Sequence, residues 1–388
     1  MKKEYGLVLA GGGTKGAYEV GAWKALKEMN IPITCITGAS IGAINAALII
    51  QDDFEKLLHI YKTIGADNIV RVKKKLKDRT NILSVKNAIT LTKEYIKTKG
   101  FDNEPLRKMM EEYLDIDKIY DSDIDLGMTS YSLKTKTALE VFKEDIPKDQ
   151  FIDYLLATAC FPIYKGQEIN EDLFFDGGFY DNIPINMQVK KGYKNIIVID
   201  ISYEGIQRKL LKKNVYLKII RPTENLGGIF DFDKERMKKN MTMGYLDTLK
   251  AFHQLQGHTY YFTAKEFDKL LNIFNLNTIY GLEYAARIYQ IEKYKIYTAE
   301  EFLSLLLKKH EAMDEKYKRI SQKFNFKRII SQYKLVLHTI NKGFGLCFFM
   351  DMLSSEPKFR NNLILKKFFS DYIVATDAMN ELKNYKEV

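Results

Sequence analysis

The stretch Val8-Leu-Ala-Gly-Gly-Gly-Thr-Lys-Gly-Ala17 carries Gly11, Gly12, Gly13 and Gly16 in the spacing G-x-G-x-x-G, directly after a short apolar run. A glycine turn of this kind offers backbone N–H groups either to a phosphate or to the oxyanion of an acyl-transfer intermediate. The flanking pattern decides the local fold. Residues 5–9 read as a buried strand, 17–30 as a helix and 33–37 as a second strand, with Pro32 closing the connection, so the chain opens on a βαβ unit. A dinucleotide site would place an acidic residue about 20 positions after the glycines, at the end of that second strand. Here the strand ends at Thr37 and leads into Gly38-Ala-Ser, with no acidic residue at its end. A P-loop would need a hydroxyl residue after its lysine, whereas Lys15 is followed by Gly16.

The second strand leads instead into Gly38-Ala-Ser-Ile-Gly42, a G-x-S-x-G motif, and then into the apolar helical run 44–50. Small residues around Ser40 let the chain turn sharply from strand to helix and expose the hydroxyl at a helix N-terminus, where N–H groups and a partial positive charge converge. With a nucleophile in that place, the oxyanion reading of the glycines prevails, and Gly11, Gly12, Gly13 and Ile41 become the expected N–H donors. A serine needs a base. His59, His253, His258, His310 and His338 all fall in helical patterns rather than in turns, although His253 or His258 would formally complete a Ser-Asp-His order. Asp176 is the better candidate, because Leu173-Phe-Phe-Asp-Gly-Gly178 sets it at a strand end before two glycines.

Composition places the whole among globular proteins. The 388 residues suffice for one large core or two domains, and three widely spaced cysteines, Cys35, Cys160 and Cys347, form no metal-ligand or disulfide pattern, so no cofactor or metal is expected. Residues 1–200 carry a net −1 and residues 201–388 a net +11. Such asymmetry suits a soluble basic face, an anionic membrane surface or nucleic acid. Further strands are expected at 126–133, 137–142, 173–175, 196–201 and 216–220. From about residue 233 the pattern becomes amphipathic and helical with no convincing strand. The break Pro222-Thr-Glu-Asn-Leu-Gly-Gly228 divides the chain into an expected α/β domain, 1–222, and a basic α-helical extension, 223–388. The apolar segment 343–353 is too short to cross a bilayer and reads as a buried helix, and no signal peptide is expected at the N-terminus.

Three motifs in order, Gly11-Gly-Gly-Thr-Lys-Gly16, Gly38-Ala-Ser-Ile-Gly42 and Asp176-Gly-Gly-Phe-Tyr-Asp-Asn-Ile-Pro184, make residues 5–203 resemble the patatin-like phospholipases, or lipid acyl hydrolases. The resemblance implies a three-layer α/β fold with helices on both faces of the sheet. It implies a Ser–Asp dyad of Ser40 and Asp176 and an oxyanion hole from the glycine run. It also implies hydrolysis of phospholipid or other glycerolipid esters through an acyl-enzyme, without a cofactor or metal. Lys15 stands where that family has a basic residue, so Lys15 and Gly16 are expected to touch substrate. Where the family often has Ala-Ser before a proline, this chain has Ala157-Thr158 before Pro162. Around Gly244-Tyr-Leu-Asp-Thr-Leu-Lys-Ala-Phe252 the extension is similar to that of some bacterial members. The expected setting is cytoplasmic and peripheral to a membrane, with the basic run 71–79 and the extension facing anionic lipid, and with no nucleic-acid partner. The extension could instead pack on the catalytic core or make a homo-oligomer, and a gated lipase effector or a non-catalytic lipid- or nucleotide-binding module are the competing functional readings.

Overall fold

The computed structural model describes residues 4–69, 100–201, 206–212, 214–321 and 342–386, and, within 70–99, residues 71, 78, 80, 81, 83, 87, 91, 95 and 97. The chain forms two compact units, Met1–Ala251 and Phe252–Val388. The first is an α/β sheet flanked by helices. Its elements run β1 (Tyr5–Leu9), α1 (Ala17–Glu28), β2 (Ile33–Ala39), α2 (Ile41–Ile50), α3 (Phe54–Thr63), α4 (Glu104–Tyr113), α5 (Ile116–Asp121), β3 (Asp125–Ser132), β4 (Ala138–Phe142), α6 (Phe151–Thr158), β5 (Gln167–Ile169), β6 (Asp172–Asp176), α7 (Ile185–Lys191), β7 (Asn195–Ile199), β8 (Tyr216–Ile220) and α8 (Lys234–Ala251).

The sheet order is β5-β6-β3-β2-β1-β7-β8, with β4 paired to β3. β1 lies between β2 and β7, and these pairs, with β2–β3 and β7–β8, are parallel, while β4 and β6 both run antiparallel to β3. Leu7, Val8, Leu9, Ile36, Leu126, Ile196, Ile197 and Ile199 are buried, as expected for strands covered on both faces. This arrangement brings the C-terminal ends of β1 and β2 side by side, with Leu9 opposite Gly38. In open α/β sheets that end is where ligands bind. The strands expected from the sequence are all present within one or two residues. β5 is an addition: its three residues, Gln-Glu-Ile, are too few and too polar to signal a strand.

The division between units falls after Ala251, well beyond the break at 222–228, because α8 belongs to the sheet domain. It crosses α1 so closely that a side chain on Gly21 would strike the carbonyl of Met241, and one on Gly244 would strike that of Tyr18. Tyr18 Oη donates to Asp247 Oδ2 at 3.0 Å across the same contact. Gly244, which the sequence pattern assigns to the extension, is therefore a packing residue of the first unit.

The second unit is mostly helical but holds a small sheet that the sequence did not suggest. Strands β9 (Leu255–Gln256), β10 (Tyr261–Thr263) and β11 (Ile296–Tyr297) pair within it, and helices α9 (Ala264–Leu271), α10 (Leu276–Ile288), α11 (Ala299–Ser321), α12 (Lys342–Ser355) and α13 (Leu363–Lys386) complete it. Strands of two or three residues carry no periodicity to read. Tyr260, Phe262, Tyr297 and Phe302 meet edge to face or tilted at its centre, with ring centroids 5.1–6.4 Å apart. Segment 343–353 is the expected buried helix, within α12. No helix among the described residues is long and apolar enough to cross a membrane. Of the basic run 71–79 only Arg71 and Asp78 are described, and Arg71 pairs with Asp102 at 3.3 Å; the rest lies outside the described residues.

The α1–α8 contact yields a stability prediction. Gly244→Val places two methyl groups against a backbone that cannot yield, and should cost about 3 kcal/mol, read as a lowered thermal midpoint, whereas Gly228→Ala should leave it unchanged.

Candidate active site

Ser40 sits between β2 and α2 with φ 51° and ψ −126°, a conformation that non-glycine residues seldom adopt. The turn is held by a chain of hydrogen bonds. Ser40 N donates to Thr158 Oγ1 at 3.0 Å, and Thr158 Oγ1 donates to the carbonyl of Thr129 on β3 at 2.6 Å. Thr158, the residue that departs from the family pattern, thus uses its hydroxyl to fix the elbow, and its extra methyl group is buried. The retained hydroxyl is legible in the sequence, but its two partners are not.

Asp176 closes β6, opposite Ser130 of β3, and its N–H donates to Cys160 O at 2.9 Å. Its carboxylate accepts a hydrogen bond from Gly178 N at 2.8 Å, and the neighbouring Ser40 hydroxyl favours its ionised form. Only 4% exposed, it is pushed up to about 6 by burial, against the lowering effect of those two groups. A serine hydroxyl beside a buried carboxylate that is largely ionised at neutral pH is the arrangement proton abstraction requires. None of the described histidines lines the cavity that Ser40 and Asp176 share.

The glycine turn stands across from this pair. Gly13 adopts φ +59°, and a side chain there would collide with Ile229 O. Gly12, Gly13 and Ile41 all line the cavity, and their N–H groups meet no backbone acceptor among the described residues. Gly11 is different. Its N–H donates to Asn182 O at 3.1 Å, and Asn182 Nδ2 returns a bond to Gly11 O at 3.1 Å, so Gly11 joins the glycine turn to the segment after Asp176 and has no N–H left for an oxyanion.

Lys15 lines the cavity, but Gly16 does not. Gly16 is buried, and a side chain on it would lie 2.5 Å from Tyr61 Oη and 2.9 Å from Asn45 Nδ2. Its role is to admit a polar cluster: Asn45 Nδ2 donates to Gly16 O at 3.2 Å and to Glu19 Oε2 at 2.8 Å, while Tyr61 Oη donates to Asn45 Oδ1 at 2.9 Å. Burial raises Glu19 well above the usual carboxylate range, which suits a neutral acid inside the protein. This cluster ties the glycine turn, α2 and α3 together. The sequence signal was Asn45, the lone polar side chain in Ile41–Ile50.

Around these groups lies a cavity of about 550 Å³. Ile44, Leu48, Ile60, Met109, Phe161 and Phe230 make most of its wall apolar. Its size falls within the roughly 300–1,000 Å³ of small-molecule sites.

A strained serine at a strand-to-helix elbow, a buried aspartate partner and a facing glycine turn agree with a family profile that matches residues 7–187, described as patatin-like phospholipase. Residues 7–187 belong to the patatin-like phospholipase family. The domain is similar to Lysophospholipase NTE1 of Meyerozyma guilliermondii, 27% identical over 206 residues that make up 50% of this chain and 12% of that protein. It is also similar to patatin-like phospholipase domain-containing protein 7 of Rattus norvegicus, 26% identical over 195 residues, 50% of this chain and 13% of that one. The chain therefore spans about an eighth of the length of these curated relatives. Among solved structures, VipD from Legionella pneumophila is similar at 14% identity and a TM-score of 0.42, over 97% of this chain and 90% of that one.

The elbow clamp is testable in this patatin-like domain. Thr158→Val removes the acceptor for Ser40 N and should lower turnover of a soluble ester about tenfold or more, whereas Thr158→Ser should retain most of it, both measured on protein with native circular dichroism.

Proposed function

We propose that this chain is a serine lipid acyl hydrolase of the phospholipase A type, cleaving fatty-acyl esters of glycerolipids that it meets at a lipid surface. The observation that carries this reading is the placement of strained Ser40 and the buried Asp176 carboxylate together in the wall of one apolar cavity. Ser40 Oγ attacks the ester carbonyl while Asp176 accepts its proton, and the carbonyl oxygen becomes an oxyanion facing the N–H groups of Gly12, Gly13 and Ile41. The tetrahedral intermediate collapses with loss of the lysolipid or glycerol alkoxide, which takes the proton from Asp176. Water then attacks the acyl-enzyme, Asp176 accepting its proton, and the fatty acid leaves as Ser40 Oγ takes that proton back from Asp176. The apolar wall holds the acyl chain, and Lys15 is suited to a lipid phosphate near the glycine turn. No histidine and no metal enters these steps.

Family membership and relatives named lysophospholipases support ester hydrolysis on lipid substrates. Mass spectrometry of fatty acid and lysolipid released from mixed neutral and anionic phospholipid vesicles tests it. Release by wild type should fall by roughly a thousandfold or more in Ser40→Ala, and comparable release from both proteins would sink the proposal.

The raised pKa of Asp176 gives a second test. Relative to its ordinary value of 3.8, the folded-state value of about 6 means that the stability it contributes is full below pH 3.8 and lost as pH rises through 6. Asp176→Asn should therefore be more stable than wild type above pH 6, by an amount on the order of 1–3 kcal/mol, with the advantage vanishing near pH 4 while turnover at pH 7 collapses. Denaturant unfolding at both pH values reads the difference; a variant less stable than wild type at pH 7 would contradict the burial account.

A further inference from the structure

Segment 206–212, Ile-Gln-Arg-Lys-Leu-Leu-Lys, leads from β7 towards β8 and carries three cations and no acidic residue. It is pinned to the turn that follows Asp176. Asn182 N donates to Ile206 O at 2.8 Å, Arg208 Nε donates to Tyr180 O at 3.2 Å, and the Arg208 guanidinium lies 3.7 Å from the centre of the Tyr180 ring. Asn186 grips the segment twice, through Nδ2 to Lys209 O at 3.0 Å and through Oδ1 from Leu211 N at 3.0 Å. A loop so anchored has a fixed outward face, and that face is apolar in places where a solvated loop would be polar. Ile206 is 52% exposed and Leu211 61%, and beside them Phe179, in the Asp176 turn, is 47% exposed. Phe179 and Ile206 also line the cavity, so they stand on its rim. Single exposed apolar residues are ordinary; two of them at one cavity mouth, followed along the same anchored segment by exposed Leu211 and by Arg208, Lys209 and Lys212, which are all exposed, are a pattern.

We propose that Phe179 and segment 206–212 form a docking lip that seats the cavity mouth on an anionic lipid surface, the apolar side chains entering the acyl boundary and the cations meeting headgroup phosphates. The proposal rests on the lipid acyl hydrolase reading and names the surface that would deliver its substrate. Charge complementarity selects the occupant: an apolar ring with a cationic border matches the acyl-to-phosphate gradient of a bilayer containing anionic lipid. Because the lip is fixed to the Asp176 turn, docking would place the cavity opening directly over the lipid. Each cation held near such a surface adds about fivefold to binding, and the effect fades with salt.

The test uses Leu211→Ser, Lys209→Gln and Lys212→Gln together, since none of these residues lines the cavity and Lys209 and Leu211 meet Asn186 through backbone atoms alone. Sedimentation with vesicles of phosphatidylcholine and about one-third phosphatidylglycerol measures binding, in the Ser40→Ala background so that hydrolysis does not alter the vesicles. Turnover of soluble p-nitrophenyl butyrate is measured separately with Ser40 present. Wild-type lip residues should give stronger binding to anionic than to neutral vesicles. The triple substitution should lower anionic-vesicle binding at least tenfold and vesicle hydrolysis in proportion, with soluble-ester turnover within about twofold. Undiminished binding in the triple variant, or equal binding to neutral and anionic vesicles, overturns the lip. Failure of the hydrolase reading would show differently, as wild-type turnover indistinguishable from Ser40→Ala.

Discussion

The site depends on one constraint: Ser40 must hold a strained backbone conformation while its hydroxyl reaches a carboxylate taken out of water. Neither is favourable alone. A positive φ at a serine and a buried aspartate each cost free energy that surrounding contacts must offset. The offset comes from Thr158, which binds Ser40 N and Thr129 O, and from Gly178 N, which donates to the carboxylate, with the Ser40 hydroxyl beside it favouring its charged form. The same constraint explains the reciprocal bonds between Gly11 and Asn182, which fix the glycine turn relative to the Asp176 segment. The sheet makes this possible by ending β1 and β2 side by side and bringing β6 onto β3, so that turns distant in sequence share one cavity wall.

Much of this was legible because the deciding features are local. The βαβ opening is apolar runs punctuated by glycine and proline, and the elbow is a five-residue motif at a strand end, so β1, α1, β2 and Ser40 follow from adjacent residues. Asp176 was legible from the two glycines after it. The rest depends on contacts between residues far apart in sequence. Gly11 and Gly12 look alike in the sequence, yet one N–H is committed to Asn182, 171 residues away. Gly16 has the spacing of a ligand-contacting glycine but is needed for the buried cluster of Glu19, Asn45 and Tyr61. The glycines at 227 and 228 break the local pattern as a linker would, and only the approach of Gly244 to α1 returns the following helix to the sheet unit.

The functional reading draws these features into one physical picture. An apolar cavity accepts an acyl chain, a low-dielectric wall keeps Asp176 a stronger base than an exposed aspartate, and N–H groups left without acceptors wait where negative charge would develop. Segment 206–212 extends the picture outwards, because it fixes the Asp176 turn, places Ile206 at the cavity rim and carries exposed cations beyond it. The second unit has its own aromatic core and its own small sheet, and the chemistry proposed for Ser40 requires none of its residues.

The most direct measurement of the central claim is the rate at which a fluorophosphonate probe labels the protein between pH 4.5 and 8, with the modified residue located by peptide mass spectrometry. If Asp176 activates Ser40, the label resides on Ser40 and the rate rises with an apparent pKa of about 6. Labelling at another residue, or at Ser40 with a rate indifferent to pH across that range, would contradict the dyad.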